Sequence, residues 1–152
     1  MSKSYRALTE SDVDHFIRRG HVVLRDCFSR ELADEWRAFA FSRLGYDPDD
    51  AATWEEPRVH LPSMNQVPIR EAAPRAWDAI CDLLGGEDRL ANTQPSWGDG
   101  FIINFSFGAD EVWEPPETQR EGWHKDGDFF RHFLDSPEQG LLTIVVWSDI
   151  LP

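Results

Sequence analysis

Two helical patterns with recognisable start and stop residues open the chain and limit what it can fold into. Thr9 is placed to cap a first helix that ends at Gly20, and Ser29 is placed to cap a second, longer one. Apolar residues recur at helical spacing in both, namely Val13, Phe16 and Ile17 in the first and Leu32, Trp36, Phe39 and Ala40 in the second. Both helices are therefore expected to pack against a sheet.

Later patterns are mostly those of strands. Residues 21–24, 58–61 and 100–107 have short β-rich patterns, and residues 71–84 have the spacing of a third helix. The nearly continuous apolar run at residues 141–147 predicts a strand that is covered on both faces. The mixture predicts a single α+β domain, for which 152 residues are sufficient.

The charge balance and the apolar stretches exclude several classes of protein. The chain has 28 acidic and 15 basic residues and a formal charge of −13, which disfavours nucleic-acid binding. Its longest apolar stretch is too short to cross a bilayer, and its start lacks the features of a secretory signal, so we expect a cytoplasmic protein. Cys27 and Cys81 have no spacing typical of a zinc or redox site and are expected to be small buried residues.

The tripeptide His124-Lys125-Asp126 is the strongest candidate for a chemical site. In a strand, side chains alternate between faces, so His124 and Asp126 would point to one side and Lys125 to the other. An imidazole and a carboxylate are two of the three protein ligands in the two-His-one-carboxylate site, which leaves positions open on Fe(II). Asp128 is a second candidate carboxylate, but Gly127 is expected to bend the strand, which favours Asp126.

The context of this motif resembles a known family. The residues that carry the resemblance are Thr9-Glu10-Ser11-Asp12, His21-Val22-Val23-Leu24-Arg25-Asp26, the helix start at Ser29, and His124-Lys125-Asp126. Together they are similar to the phytanoyl-CoA dioxygenase family, whose members use non-haem Fe(II) and 2-oxoglutarate. The resemblance implies N-terminal helices and strands at residues 1–98, packed on the first strands of an incomplete double-stranded β-helix, or jelly-roll, at residues 99–152.

The resemblance also implies an activity and a ligand set. His124 and Asp126 would be the metal-binding and catalytic residues, with 2-oxoglutarate and O2 as co-substrates and a small organic molecule as the substrate. Asp126 occupies a position that is a small residue in halogenating relatives, so hydroxylation is favoured. The family takes its distal His and the Arg that binds 2-oxoglutarate from later strands, so we expect a fragment that has little or no turnover alone.

Further residues have both a functional and a structural interpretation. Asn104, among apolar neighbours, needs hydrogen-bond partners if buried, and the resemblance implies a place for it near the co-substrate. Thr143 has a weaker claim to the same cofactor-binding role. Trp123 and Phe129 would either shield the iron or simply pack in the core. His132 is a possible third ligand, but its position eight residues after His124 disfavours it.

Two other classes of protein remain open. A catalytically inactive jelly-roll could serve as a binding or assembly module without metal. A carbohydrate-binding β-sandwich would suit the seven Trp and ten Phe residues, but it fits the helical first half poorly. The sequence predicts neither the identity of the substrate nor the oligomeric state.

Overall fold

Short helices and short antiparallel strands alternate along the chain. The computed structural model describes residues 4–91, 95–105, 112, 126, 131, 133 and 140–149. The helices in these residues are α1 (Glu10–Arg19), α2 (Arg30–Leu44), α3 (Ile69–Ala72) and α4 (Pro74–Leu84). The strands there are β1 (Arg58–His60), β2 (Gln66–Pro68), β3 (Ser96–Gly98) and β4 (Ile102–Asn104). This mixture agrees with the predicted α+β class.

The first two helices begin and end where their sequence patterns predict. The Thr9 hydroxyl accepts a hydrogen bond from the Asp12 backbone N–H at 3.1 Å, and the Asp12 carboxylate accepts one from the Thr9 N–H at 2.8 Å. Gly20 ends α1 at φ +79°, a left-handed conformation that favours glycine. The Ser29 hydroxyl caps α2 by accepting from the Leu32 N–H at 3.1 Å. Local capping chemistry therefore fixes the bounds of both helices.

Two predicted elements differ from the structure. Residues 21–24 were expected to form a strand, but they pair with no strand among the described residues, and Val23 is 69% exposed. Their apolar alternation corresponds to a segment without regular secondary structure in which Val22 and Leu24 are half-buried. The helix expected at residues 71–84 is instead α3 and α4, separated by Ala73 at φ −145° and ψ 64°. Ala73 precedes Pro74, and the proline ring disfavours helical geometry at the preceding residue.

The four strands form one interrupted antiparallel ribbon. β1 pairs with β4, with Arg58 opposite Asn104, and β2 pairs with β3, with Gln66 opposite Gly98. At the break, the Leu61 N–H donates to the Phe101 carbonyl, while the Asp99 N–H donates to the Asn65 carbonyl. Three residues separate Leu61 from Asn65, whereas one separates Asp99 from Phe101. The connection from β1 to β2 therefore has two more residues than the facing connection from β3 to β4. The hydrogen-bond ladder is interrupted there and divides into two sheets.

Among the described residues, two groups of side chains form the interior. One lies on α3 and α4, and its buried members are Ile69, Ala73, Ala76, Trp77 and Cys81. The other is aromatic and joins α2 to the inner face of the β1–β4 sheet. In it, the Trp36 ring centroid lies 6.5 Å from that of Phe101, and the Phe41 centroid lies 6.1 Å from that of Phe105. Helix α2 thus covers one face of this sheet.

For the apolar run at residues 141–147, the prediction of a strand covered on both faces is wrong. The run forms no ladder with any described strand, and Ile144 is 83% exposed. Alternate residues Leu141, Val145 and Trp147 are half-buried instead. Apolar composition alone does not distinguish a central strand from an irregular segment that packs one side on the core. None of the helices in the described part of the chain has the length and apolar character needed to span a bilayer.

One carboxylate fastens the segment before α1 to α4. Asp82 accepts hydrogen bonds from the backbone N–H groups of Arg6, Ala7 and Leu8 at 2.9 to 3.1 Å. Burial alone would raise the pKa of Asp82, but these three donors outweigh it and lower the pKa. The carboxylate therefore stabilises the docked position of the segment in its charged form.

Removal of this anchor should release the segment. In Asp82→Ala we expect the free energy of unfolding to fall by about 1–3 kcal/mol, because three N–H groups lose their acceptor. Amide hydrogen exchange at Ala7 and Leu8 should accelerate. Asp78→Ala, on the same helix, is the control, since Asp78 makes only an exposed 3.6 Å ion pair with Arg6. Equal losses in the two variants would contradict the anchoring role.

Candidate functional site

The predicted iron ligands lie in the least described part of the chain. His124 is outside the described residues, as are Trp123, Phe129, His132 and the alternative carboxylate Asp128. Asp126 is exposed, and the backbone at this residue is in a turn, whereas the sequence pattern places the motif on a strand. In the part of the chain that the structure describes, no three His, Cys, Asp or Glu side chains are grouped to hold a metal ion. The ligand role of His124 and Asp126 stays a prediction.

Asn104 is exposed, which corrects the expectation of a buried amide. Its apolar neighbours in sequence lie on the opposite face of β4. Phe101 and Phe105 are each 8% exposed and point toward α2, whereas Ile102 and Asn104 point outward. The alternation of the strand thus separates Asn104 from the apolar residues that flank it.

The outward face of the β1–β4 sheet brings Asn104 close to residues from a distant part of the chain. We call this surface the open face, and its members are Arg58, His60, Ile102 and Asn104. All four are exposed, and Ile102 is 65% exposed. Among the described residues, the side chains of the three polar members make no hydrogen bond or ion pair with each other or with any other residue. The open face therefore presents a guanidinium, an imidazole and an amide to the surroundings.

The ladder determines how close these side chains come. The Phe105 N–H donates to the Pro57 carbonyl at 3.0 Å, so residues 57 and 105 form a hydrogen-bonded pair. Hydrogen-bonded and non-hydrogen-bonded pairs alternate along an antiparallel ladder, so the next pair, Arg58 and Asn104, is non-hydrogen-bonded. Such pairs have the closest side chains, with Cβ atoms roughly 4.5–5.5 Å apart. The Arg58 and Asn104 side chains can thus contact one small ligand together.

Thr143 lies elsewhere, at an apolar groove beside α4. The groove has a volume of about 230 Å³, and it is lined by Ile69, Trp77, Ile80, Leu84, Leu90, Pro95, Gly140, Leu141 and Thr143. Of the described residues that line it, only Thr143 has a hydroxyl group, and Asn104 is not among them. The two residues predicted to bind the co-substrate therefore line different surfaces in the described part of the chain.

A buried carboxylate, that of Asp99, accepts hydrogen bonds at the break between the two sheets of the ribbon. Asp99 is 1% exposed, and its Oδ1 accepts from the backbone N–H groups of Met64 and Asn65 at 2.5 and 2.7 Å. The Ser63 hydroxyl donates to the same oxygen at 3.2 Å, and the Asn65 amide donates to Oδ2 at 3.0 Å. Arg43 Nη1 lies 3.6 Å from Oδ2. Ser63 and Met64 lie between Leu61 and Asn65, in the segment with the two additional residues, and Asn65 is the residue at which the ladder resumes.

The surroundings of Asp99 stabilise its charged form. Burial would raise the pKa of this carboxyl, but the hydrogen bonds from Asn65, Met64 and Ser63 outweigh it and lower the pKa from 3.8 to about 2. The nearest charged partner, Arg43, also donates through Nη2 to the Pro62 carbonyl at 2.6 Å. Since Asp99 is buried and its acceptors are occupied, its contribution is to the shape of the ribbon.

Neither Asp99 nor Arg58 was singled out by the sequence patterns, although one signal for Asp99 exists. The sequence Gly98-Asp99-Gly100 flanks the carboxylate with two residues that lack a Cβ. A Cβ on Gly98 would collide with the Ser63 hydroxyl, and one on Gly100 would lie 3.3 Å from the Ser63 backbone N. Close backbone approach at two glycines around an acid indicates a structured turn. For Arg58, only the register with β4 reveals its neighbour.

Comparisons with known proteins found no match for the chain. No protein-family model matches the chain, and neither a curated protein nor a solved structure is matched by it. The similarity to the phytanoyl-CoA dioxygenase family therefore rests on the residues quoted above.

Proposed function

We propose that this chain carries the iron-binding motif of an Fe(II)- and 2-oxoglutarate-dependent dioxygenase that hydroxylates a small organic substrate. The observation that carries the proposal is His124-Lys125-Asp126, which follows two capped helices in the order typical of the phytanoyl-CoA dioxygenase family. The caps at Thr9 and Ser29, on which the resemblance depends, are present. The two helices are the part of the resemblance that has structural support, because residues 21–24 pair with no described strand.

The two-sided β1–β4 sheet is compatible with a jelly-roll core. In that fold, helices cover the outer face of a sheet, and the inner face lines the site. Here Phe101 and Phe105 point toward α2, while Arg58 and Asn104 point away from it. In our proposal the open face is the inner face, so its polar residues would line the pocket.

The donor set fits two of the three positions of the iron site. His124 would supply an imidazole nitrogen and Asp126 a carboxylate oxygen, both of which suit Fe(II). The bound metal and 2-oxoglutarate would supply the oxidising chemistry, and the protein would hold and orient them. The third position is not assigned to a residue of this chain.

Anaerobic titration with Fe(II) and 2-oxoglutarate tests this proposal. We expect a coloured chelate to form and to be lost in His124→Ala and Asp126→Asn, with the affinity for Fe(II) lowered at least roughly 100-fold. Asp128→Asn and His132→Ala are matched controls, because they remove the same groups from neighbouring positions. Both controls should retain the chelate.

The opposite outcome favours a different class of protein. If the unaltered chain forms no chelate, or if His124→Ala forms it equally well, the motif does not bind iron. An inactive binding or assembly module would then be the better interpretation. The separation of Asn104 from the groove that contains Thr143 is the observation that favours this second candidate.

A further inference from the structure

The open face presents one guanidinium and two further polar side chains on an acidic protein. The chain has a formal charge of −13, and acidic side chains are almost twice as numerous as basic ones. Six of the twelve described arginines have an acceptor for the side chain, such as Arg43 with Asp99 and Arg70 with Glu87. Arg58 has no acceptor among the described residues. An unpaired guanidinium can pair with an anion, and in a chain of net negative charge this local contact is the source of the attraction.

The geometry of the ladder specifies what kind of anion fits. Arg58 and Asn104 form a non-hydrogen-bonded pair, in which the side chains are at their closest. The guanidinium is a planar fork of donors that matches a carboxylate, and the Asn104 amide adds a further N–H donor beside it. A carboxylate has four lone-pair sites, so it can accept from both side chains at once.

The second pair on the same face supplies contacts for the rest of a ligand. His60 lies opposite Ile102, directly beside the Arg58–Asn104 pair. Ile102 is 65% exposed, although the other face of its strand is well covered by aromatic rings. An exposed isoleucine next to unpaired donors provides apolar contact for the carbon skeleton of a small acid.

We propose that the open face binds the carboxylate of a small organic acid, with Arg58 as its charge partner and Asn104 as its second donor. The inference deepens the proposed function and rests on it for the nature of the acid, which is either 2-oxoglutarate or an acidic substrate. Carboxylate binding itself needs no iron. It can therefore be measured separately from the metal site.

The experiment is an NMR titration of the metal-free chain, with 2-oxoglutarate and hexanoate as separate probes and hexanol as the neutral control. We expect a carboxylate probe to shift the Asn104 side-chain amide and the Arg58 Nε–H signals, and hexanol to leave them unchanged. Arg58→Gln should lower the affinity at least tenfold, and Arg58→Lys should retain part of it. Arg37→Gln, which changes the net charge equally at another exposed site, should bind as the unaltered chain does.

The outcomes separate the two sources of the carboxylate. Binding of 2-oxoglutarate alone assigns the face to the co-substrate, and binding of hexanoate assigns it to an acidic substrate; both support the proposal. Absence of binding by either acid, equal affinity in Arg58→Gln, or equal binding of hexanol would overturn it. His124→Ala should leave this titration unchanged, so a failed iron titration with intact Arg58-dependent binding would remove only the proposed iron chemistry.

Discussion

Asp99→Ala should lower the free energy of unfolding by about 3–5 kcal/mol, the largest effect that we expect from a single substitution. The Met64 and Asn65 N–H groups would lose their acceptor, and Arg43, whose side chain is only 12% exposed, would lose its charge partner. Chemical denaturation measures the change. Asp34→Ala is the control, because Asp34 makes only an exposed ion pair with Arg37 on α2. A loss below about 1 kcal/mol in Asp99→Ala would contradict the assigned role.

The charge of Asp99 should also appear in the pH dependence of stability. Its pKa is about 2 in the folded chain, below the ordinary value of 3.8, so the folded state binds its proton more weakly than the unfolded state does. The contribution, about 2 kcal/mol, is therefore present above about pH 4 and is lost as the pH falls toward 2. Denaturation of Asp99→Asn at several pH values should show that this part of the acid destabilisation has disappeared.

Trp147→Ala should lower the free energy of unfolding by about 3 kcal/mol. The Trp147 ring is stacked on Trp36, with ring centroids 4.8 Å apart, and it also lies 4.8 Å from Phe28 and 5.8 Å from Phe101. It joins the segment at residues 140–149 to Trp36 on α2 and to Phe101, the residue before β4. Its removal would leave a gap among three aromatic rings.

The same segment provides the control for Trp147. Ile144 is 83% exposed, so Ile144→Ala should change the free energy of unfolding by less than about 0.5 kcal/mol. Hydrogen exchange in residues 140–149 should accelerate only in the tryptophan variant. If both variants were equally stable, the packing of Trp147 would not be what holds the segment.

Local signals predicted the parts of the fold that local chemistry determines. The caps at Thr9 and Ser29 depend on neighbours within a few residues, and the structure confirms both. The strand pattern at residues 58–61 is also confirmed, as the strand Arg58–His60. Residues 21–24 and 141–147 have β-type composition, but a strand also needs a partner. That partner is a property of the tertiary structure, and these segments have none among the described residues.

For the candidate site too, the sequence predicts what depends on nearby residues and not what depends on distant ones. The motif at His124 and Asp126 could be proposed from two residues close in sequence, and it remains a prediction. Asn104 could be selected as an unusual polar residue, but its exposure depends on which face of the sheet α2 covers. Arg58 lies opposite it only because the ribbon pairs residues 46 positions apart, which no local pattern contains.

The two additional residues between β1 and β2 and the carboxylate of Asp99 depend on each other. A chain that lost this insertion would have a continuous ladder, in which the backbone N–H groups are already paired. A buried carboxylate at position 99 would then lack donors and would destabilise the fold. A chain that kept the insertion but lost the acid would leave those amides without an acceptor. Divergent relatives of this protein should therefore contain both features or neither, so that loop length and one acidic residue are inherited as a pair.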